Sequence, residues 1–212
     1  MLSYDLTEEQ QILRKTIRDF AENEIGPKAL ELDEKEEFSV ELTKKMAEMG
    51  LFGMFVSEDY GGSDMGYVAY IIAVEEIARV DGSQASTVAA GNSLGIGPIY
   101  YFGSEEQKRE YLPQLCSMDE DEFRLAGFGL TEPNAGSDAG GTKTQAVLKD
   151  GQWVINGSKI FITNAANPLT VVNVVQAITG KRDDGRKEYS CILVPADTEG
   201  FKGLEMHGKM MW

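Results

Sequence analysis

Apolar residues recur at helical spacing through residues 1–115. Along the first of these helices an apolar side chain returns every three or four positions, which predicts a single apolar face. That stripe consists of Leu13, Ile17, Phe20, Ala21 and Ile25. Thr7 and Gln10 fit a capping box at the start of the helix. Gly26-Pro27 interrupts the pattern, although the stripe can resume at residues 29–30.

Further helices follow the same logic. Ser39 is suited to capping a second helix and Gly50 to ending it. The third, Tyr67–Arg79, is apolar on most sides, which favours a central position in the fold. Ser104 and Gln107 form another capping box, at the start of a helix that carries Tyr111 and Leu112.

After the acidic stretch at residues 118–123 the hydrophobic period changes to two, as expected for strands. Asp150-Gly151 and Asn156-Gly157 are strong hairpin signals, because a type I′ turn needs positive φ at both central residues. They flank QWVIN, with QAVLK before it and SKIFIT after it, which predicts a three-stranded meander. Two more β-branched runs, LTVVNVVQAI and YSCILV, are separated by the turn-like KRDDGR.

These two periods predict an α+β fold in two domains. Residues 1–120 would form an all-α domain, and residues 121–212 an antiparallel β-barrel or sandwich. The acidic stretch between them is interpreted as a solvated linker.

The charge of the chain excludes some classes of partner. The 212 residues include 20 basic and 35 acidic side chains, for a net charge of −15. Binding to a phosphate backbone requires clustered Lys and Arg, so a nucleic-acid partner is disfavoured. Docking on an anionic membrane surface is disfavoured for the same reason.

The sequence also gives expectations about location and metals. The N-terminus shows no basic region followed by an apolar run, and no stretch is long enough for a membrane span. Cys116 and Cys191 lie far apart, and His207 has no metal-ligand partner at a recognisable spacing. We therefore expect a cytoplasmic protein with reduced thiols and no metal site.

Residues 129–138, GLTEPNAGSD, lie between two β runs and have two possible interpretations. Pro133, Asn134 and Gly136 suit a plain turn. A glycine-containing turn can also expose backbone N–H groups, and the hydroxyls of Thr131 and Ser137 would add to such a nest for a pyrophosphate or the polar edge of a flavin. The residue types alone leave both interpretations open.

A second polar segment, NGSKIFITN, spans residues 156–164. If it is a strand, alternation places Phe161 and Thr163 on the same side, where an aromatic ring and a hydroxyl could line a flat ring system. Strands often carry such residues without any ligand, so the segment is not diagnostic by itself.

Together these segments resemble the acyl-CoA dehydrogenase family, and the resemblance covers essentially the whole chain. The stretches that carry it are YDLTEEQQILRKTIRDFAENEI, LFGMFVSEDYGG, SLGIGPIYYFGSEEQKREYLPQL, GLTEPNAGSD and NGSKIFITNA. The ordered pair GLTEPNAGSD and NGSKIFITN is highly specific. The resemblance implies FAD as the cofactor and GLTEPNAGSD as part of its binding loop.

The resemblance also implies roles for individual residues. Thr131 would bond the pyrimidine side of the flavin, and Thr163 would donate its hydroxyl to flavin N5. Ser137 corresponds to a position that contacts both the flavin pyrophosphate and the acyl-CoA, and Leu94 lies in the segment that resembles the acyl-pocket lining. The implied cofactor residues are Phe128, Gly129, Leu130, Thr131, Gly136, Ser137, Phe161, Ile162 and Thr163, and the implied substrate residues are Ser137 and Leu94. Many relatives have Trp where Phe161 stands, and we expect little consequence from the change.

The reaction implied by the resemblance is α,β-dehydrogenation of an acyl-CoA thioester to a trans-2-enoyl-CoA, with electrons passed to an electron-transferring flavoprotein. Because the family's catalytic glutamate lies in a C-terminal helical domain, we expect no catalytic residue among residues 1–212. Glu75, Glu76 and Glu132 do not correspond to it. The resemblance further implies a homotetramer, and a short or medium straight-chain substrate is expected.

Three interpretations of the chain therefore stand. It is a fragment of such an enzyme, inactive alone; or a non-catalytic flavin-binding or interaction module derived from the family; or part of a flavin oxidase on the same scaffold. The first is favoured. In the last residues, Met211 stands where the family usually has Gly, so the correspondence is weak there.

Overall fold

Residues 5–209 are described by a computed structural model, and they divide into two units. A helical unit comprises residues 5–124 together with 205–209, and a β unit comprises Leu125–Leu204. Met211 lies outside the described residues. Within residues 5–209, none of the helices has the length and apolar content of a membrane-spanning segment.

The helical unit contains seven α-helices in its described part. They are α1 Glu8–Phe20, α2 Gly26–Lys35, α3 Val40–Glu48, α4 Gly66–Ala78, α5 Gly82–Ala90, α6 Gly97–Phe102 and α7 Glu105–Leu115. Two π-helical turns, Ala21–Ile25 and Gly91–Ile96, join α1 to α2 and α5 to α6.

Side-chain caps begin several of these helices at the predicted residues. At α1 the Gln10 amide donates to Thr7 Oγ1 at 3.2 Å, and the Thr7 amide donates to Gln10 Oε1 at 3.0 Å. The same reciprocal pair forms between Ser104 and Gln107 at α7. Each cap satisfies amides that the first helical turn leaves without a backbone acceptor, which confirms both capping boxes.

The predicted interruption at Gly26-Pro27 is wrong. The chain stays helical there, because the π turn absorbs one extra residue and Pro27 sits in the first turn of α2, where its missing N–H costs nothing. The apolar stripe does not resume at Leu30, which is exposed.

Helix α4 is apolar all round but has only one buried face. Ala69, Ala73 and Ile77 are among the buried residues of this helix. Tyr67 and Ile71 are more than half exposed, so the predicted central position holds for one side of the helix.

A buried carboxylate at the end of α4 ties this helix to α1. Glu76 accepts two hydrogen bonds of 2.8 Å from Arg18, and Arg14 Nε lies 3.1 Å away. The hydrogen bond from Arg18 lowers the pKa of the Glu76 carboxyl, so this group stays ionised inside the helical unit.

Asn92 organises the π turn Gly91–Ile96 from a fully buried position. Its Oδ1 accepts the Gly53 amide at 2.8 Å, and its Nδ2 donates to the carbonyls of Leu51 at 2.8 Å and Val88 at 3.0 Å. The Asn92 side chain thus provides hydrogen-bond partners for backbone groups of the loop after α3, which lie outside any helix or strand.

The β unit holds one sheet of five strands within its described residues. They are β1 Leu125–Gly129, β2 Gln145–Lys149, β3 Gln152–Asn156, β4 Thr170–Lys181 and β5 Lys187–Pro195. β4 pairs antiparallel with β5 along its length, parallel with β1, and parallel with β2 at Gln145 and Ile178. The α+β class is confirmed, but the purely antiparallel barrel or sandwich is wrong, because the sheet is mixed.

Turn chemistry explains which predicted hairpins form. Asp150 and Gly151 have φ of 50° and 79°, which confirms the type I′ hairpin between β2 and β3. KRDDGR connects β4 to β5, and Gly185 has a φ of 81° there. SKIFIT forms no strand, so the predicted third strand of the meander is wrong.

Candidate functional site

The loop that follows β1 is fixed by a tight turn. The Glu132 amide donates to the Ala135 carbonyl at 3.0 Å, and the Ala135 amide donates back at 3.1 Å. Pro133 and Asn134 occupy the exposed centre of this turn. GLTEPNAGSD is therefore an ordered connection leaving the carboxyl end of a strand.

Several candidate cofactor residues on this loop face solvent. Gly136 and Ser137 are exposed, and Phe128 and Thr131 are partly exposed. A Cβ added at Gly136 would meet no heavy atom within 4 Å, so the backbone at this point is open to a ligand. Gly129, by contrast, is buried at the end of β1.

The second candidate segment is an irregular turn. Phe161 and Asn164 have φ of 60° and 66°, and these left-handed residues break the alternation that a strand requires. The prediction that Phe161 and Thr163 share one face of a strand therefore has no strand to support it. The Phe161 side chain is nevertheless 65% exposed, whereas phenylalanine side chains are usually buried.

The structure brings these two segments together. The Ile160 amide donates to the Thr131 carbonyl at 2.9 Å, so Phe161 is next in sequence to a residue bonded directly to the first loop. The segment with the exposed aromatic ring and the hydroxyl-bearing loop thus adjoin within the β unit and form one candidate site.

Glu132 is a buried residue of this candidate site, 7% exposed, and no sequence pattern indicated its role. Its Oε2 accepts the Lys143 amide at 2.7 Å, and its Oε1 accepts the Thr144 amide at 3.0 Å and Lys159 Nζ at 2.9 Å. Burial by itself raises the pKa of the Glu132 carboxyl, but hydrogen bonds from Thr144, Lys143 and Lys159 outweigh burial and lower the pKa to about 2. Glu132 is therefore ionised at neutral pH and acts as a charged anchor for these segments.

A close approach at Gly127 holds the second segment against the sheet. A Cβ at this position would lie 2.4 Å from Asn173 Oδ1 and 3.3 Å from the Thr163 carbonyl oxygen. A residue without a side chain therefore lets residues 163–165 lie close to β1 without crowding. Thr163 itself is exposed.

Gly157 provides a second close approach, to Thr144, instead of the predicted hairpin turn. A Cβ there would lie 2.2 Å from Thr144 Oγ1 and 2.7 Å from Thr144 Cα.

We expect Gly157→Ala to destabilise the β unit by about 2 kcal/mol, since the new methyl must displace backbone. Urea unfolding followed by tryptophan fluorescence measures this change. Gly136→Ala, which adds its methyl in open space, is the control and should shift stability by less than about 0.5 kcal/mol; equal effects of the two variants would contradict the prediction.

Leu94 lies in the helical unit, in the π turn Gly91–Ile96, and is 44% exposed. Ser137 belongs to the β unit, so a shared substrate site of these two residues stays a prediction. Beside this π turn the helical unit has an open and almost wholly apolar groove of about 220 Å³. Its lining residues are Phe55, Tyr67, Tyr70, Ser93, Gly97, Pro98, Tyr101 and Phe102.

Comparison with known families agrees with this two-part organisation. Residues 7–119 match the family described as acyl-CoA dehydrogenase, N-terminal domain, and residues 127–211 match the acyl-CoA dehydrogenase middle domain. The chain belongs to the acyl-CoA dehydrogenase family. Its described fold, helices followed by a sheet, is the fold of that family's first two domains.

Individual acyl-CoA dehydrogenase relatives match nearly the whole chain. The probable acyl-CoA dehydrogenase YngJ of Bacillus subtilis is 46% identical over 209 residues, which is 99% of this chain and 53% of that protein. A structure of an acyl-CoA dehydrogenase complexed with FAD from Bacillus anthracis has a TM-score of 0.86 at 37% identity and covers 99% of this chain and 34% of that one. A chain in the structure of the electron transferring flavoprotein of Acidaminococcus fermentans has a TM-score of 0.88 at 37% identity, covering 99% of this chain and 53% of that one. This chain thus spans about half the length of the curated relative it matches.

Proposed function

We propose that this chain supplies the FAD-contacting part of an FAD-dependent acyl-CoA dehydrogenase. The observation that carries the proposal is the hydrogen bond from the Ile160 amide to the Thr131 carbonyl. It joins the hydroxyl-bearing loop to the segment that carries the exposed Phe161 ring. Family membership supports the same assignment, and a relative of similar fold is complexed with FAD.

The residues present fit FAD. A flat ring system needs an apolar surface beside it and hydrogen-bonding groups at its polar edge. Phe161 supplies an exposed ring, and Thr131 and Thr163 supply hydroxyls on the two joined segments. The open backbone at Gly136 and the exposed Ser137 suit a charged pyrophosphate.

In the complete protein, bound FAD would supply the acceptor for the hydride that the β-carbon of the acyl-CoA loses. Thr131 would bond the polar pyrimidine side of the ring system, Thr163 would donate its hydroxyl to flavin N5, and Phe161 would cover one face and exclude water from it. We assign Phe128, Leu130 and Ile162, which are partly exposed, to the same binding surface, and the buried Gly129 to its support.

The α-proton of the acyl-CoA must pass to a base other than Glu132, because Glu132 is unsuited to receive it. Both of its oxygens already accept hydrogen bonds, and a carboxyl with a pKa of about 2 is a very weak base. A curated relative is about twice as long as this chain. We assign the proton-abstracting glutamate to the part of the complete protein that corresponds to the rest of that relative.

The apolar groove beside the π turn is our candidate for the acyl chain. Five of its lining residues come from Ser93–Phe102, the segment that resembles the family's acyl pocket. Electron-transferring flavoprotein is the proposed electron acceptor, supported by the relative found in such a structure. A homotetramer in the cytoplasm remains our expectation for the complete protein.

Titration of the 212-residue chain with FAD tests the proposal. We expect FAD fluorescence to be quenched on binding, and Phe161→Ala to raise the Kd about tenfold through the loss of ring contact. Phe102→Ala removes an even more exposed ring, 88% exposed, from the helical unit and should leave the Kd unchanged. A chain that does not quench FAD fluorescence, or equal binding by Phe161→Ala, would refute the assignment.

A further inference from the structure

Glu132 is the point at which three segments of the β unit meet. It belongs to the loop after β1, it accepts the two amides at residues 143–144 that precede β2, and it pairs with Lys159 after β3. Lys159 also donates to the Leu130 carbonyl at 3.0 Å. Both side chains of the pair are largely buried, with 6% of Glu132 and 11% of Lys159 exposed.

Two of these three segments carry the side chains assigned to FAD. Thr131 directly precedes Glu132, and Ile160 and Phe161 directly follow Lys159. The residues of the ion pair are therefore sequence neighbours of the two residues, Thr131 and Ile160, that share the backbone hydrogen bond.

Such a pair fixes the geometry of the chain in a way that an apolar pair of the same size cannot. Removing two charges from water costs as much as their attraction returns, so apolar residues of the same size could pack here at least as favourably. They could not, however, accept two amides and donate to a carbonyl at fixed directions. We propose that Glu132 and Lys159 are positioning residues that hold Thr131 and Phe161 at the spacing which FAD requires. This inference rests on the proposed FAD site and gives Glu132 no contact with the cofactor.

The test is a titration with FAD of the chain and of Glu132→Gln, which keeps the size of the side chain and removes its charge. We expect the Kd for FAD to rise about tenfold, since charge-assisted hydrogen bonds that hold both segments are lost. Glu76→Gln is the matched control: Glu76 is equally buried and also paired with a basic residue, but it lies in the helical unit. Circular dichroism selects a temperature at which all proteins are folded. Glu132→Asp, which keeps the charge on a shorter side chain, should give an intermediate Kd.

The outcomes separate this inference from the function on which it rests. An unchanged Kd for Glu132→Gln, or an equal rise for Glu76→Gln, would overturn the positioning role and leave the FAD site standing. If the unaltered chain binds no FAD, the proposed function fails instead. Hydrogen exchange at the Ile160 amide then decides the role of Glu132: faster exchange in Glu132→Gln but not in Glu76→Gln supports it, and unchanged exchange overturns it.

Discussion

Replacing Asn92 with alanine is expected to destabilise the helical unit by about 4 kcal/mol, because each buried polar group left without a partner costs roughly 1–3 kcal/mol. The variant leaves the Gly53 amide and the Leu51 carbonyl without their side-chain partners. It also empties a fully buried volume beside the π turn, which adds to the loss.

Urea unfolding followed by circular dichroism of the helices measures this loss. Ser93→Ala in the same π turn is the matched control, since Ser93 is exposed and its hydroxyl donates to the Ala89 carbonyl at 2.6 Å. We expect the control to change stability by less than about 0.5 kcal/mol. A loss below about 1 kcal/mol in Asn92→Ala would mean that the loop after α3 finds other partners.

The second large effect is a dependence of the β unit on pH. The Glu132 carboxyl has a pKa of about 2 in the folded chain and an ordinary value of 4.5 when unfolded. Because the folded state holds the proton less tightly, Glu132 stabilises the β unit above pH 4.5, and this contribution is lost as the pH falls through 2. Its size is about 3 kcal/mol. The positive charge facing it is that of Lys159, whose Nζ lies 2.9 Å from Glu132 Oε1.

The measurement compares the free energy of unfolding of the chain and of Glu132→Gln at several pH values. Other carboxyl groups titrate in both proteins, so their contributions cancel in the difference. We expect the difference to be largest above pH 4.5 and to shrink steadily toward pH 2. A difference that does not change with pH would show that the anchor acts through its shape and not its charge.

Local signals in the sequence predicted much of the fold. Thr7, Ser39 and Ser104 cap helices where expected, since a cap depends only on residues three positions apart. Asp150-Gly151 sets its hairpin for the same reason. The pairing of β1 with β4 could not be predicted this way, because parallel pairing depends on a distant segment and leaves no periodic signal. Helices α5 and α6 were not predicted, and glycines at 91, 95 and 97 weaken their pattern.

The candidate site likewise combines features that the sequence indicated with features that depend on distant segments. Family resemblance, and not residue spacing, indicated Thr131 and Phe161, and the structure joins their segments through Ile160. Phe161 and Asn164 take left-handed backbone in a run whose composition favours a strand, so tertiary contacts outweigh propensity there. Glu132 went unrecognised because its partners, two backbone amides and Lys159, are set by the three-dimensional path of the chain.

The parallel pairing of β1 with β4 makes the site segments part of the crossover between these strands, which occupies residues 130–169. On a ribosome, β1 has no partner in the sheet until residues 170–175 have left the exit tunnel. A crossover of this kind closes a long loop before its contacts stabilise it, and such closures are slow. The lysine that pairs with Glu132 and the strand that pairs with β1 are thus both synthesised after β1, and the segments of the candidate site are enclosed only when β1 and β4 pair.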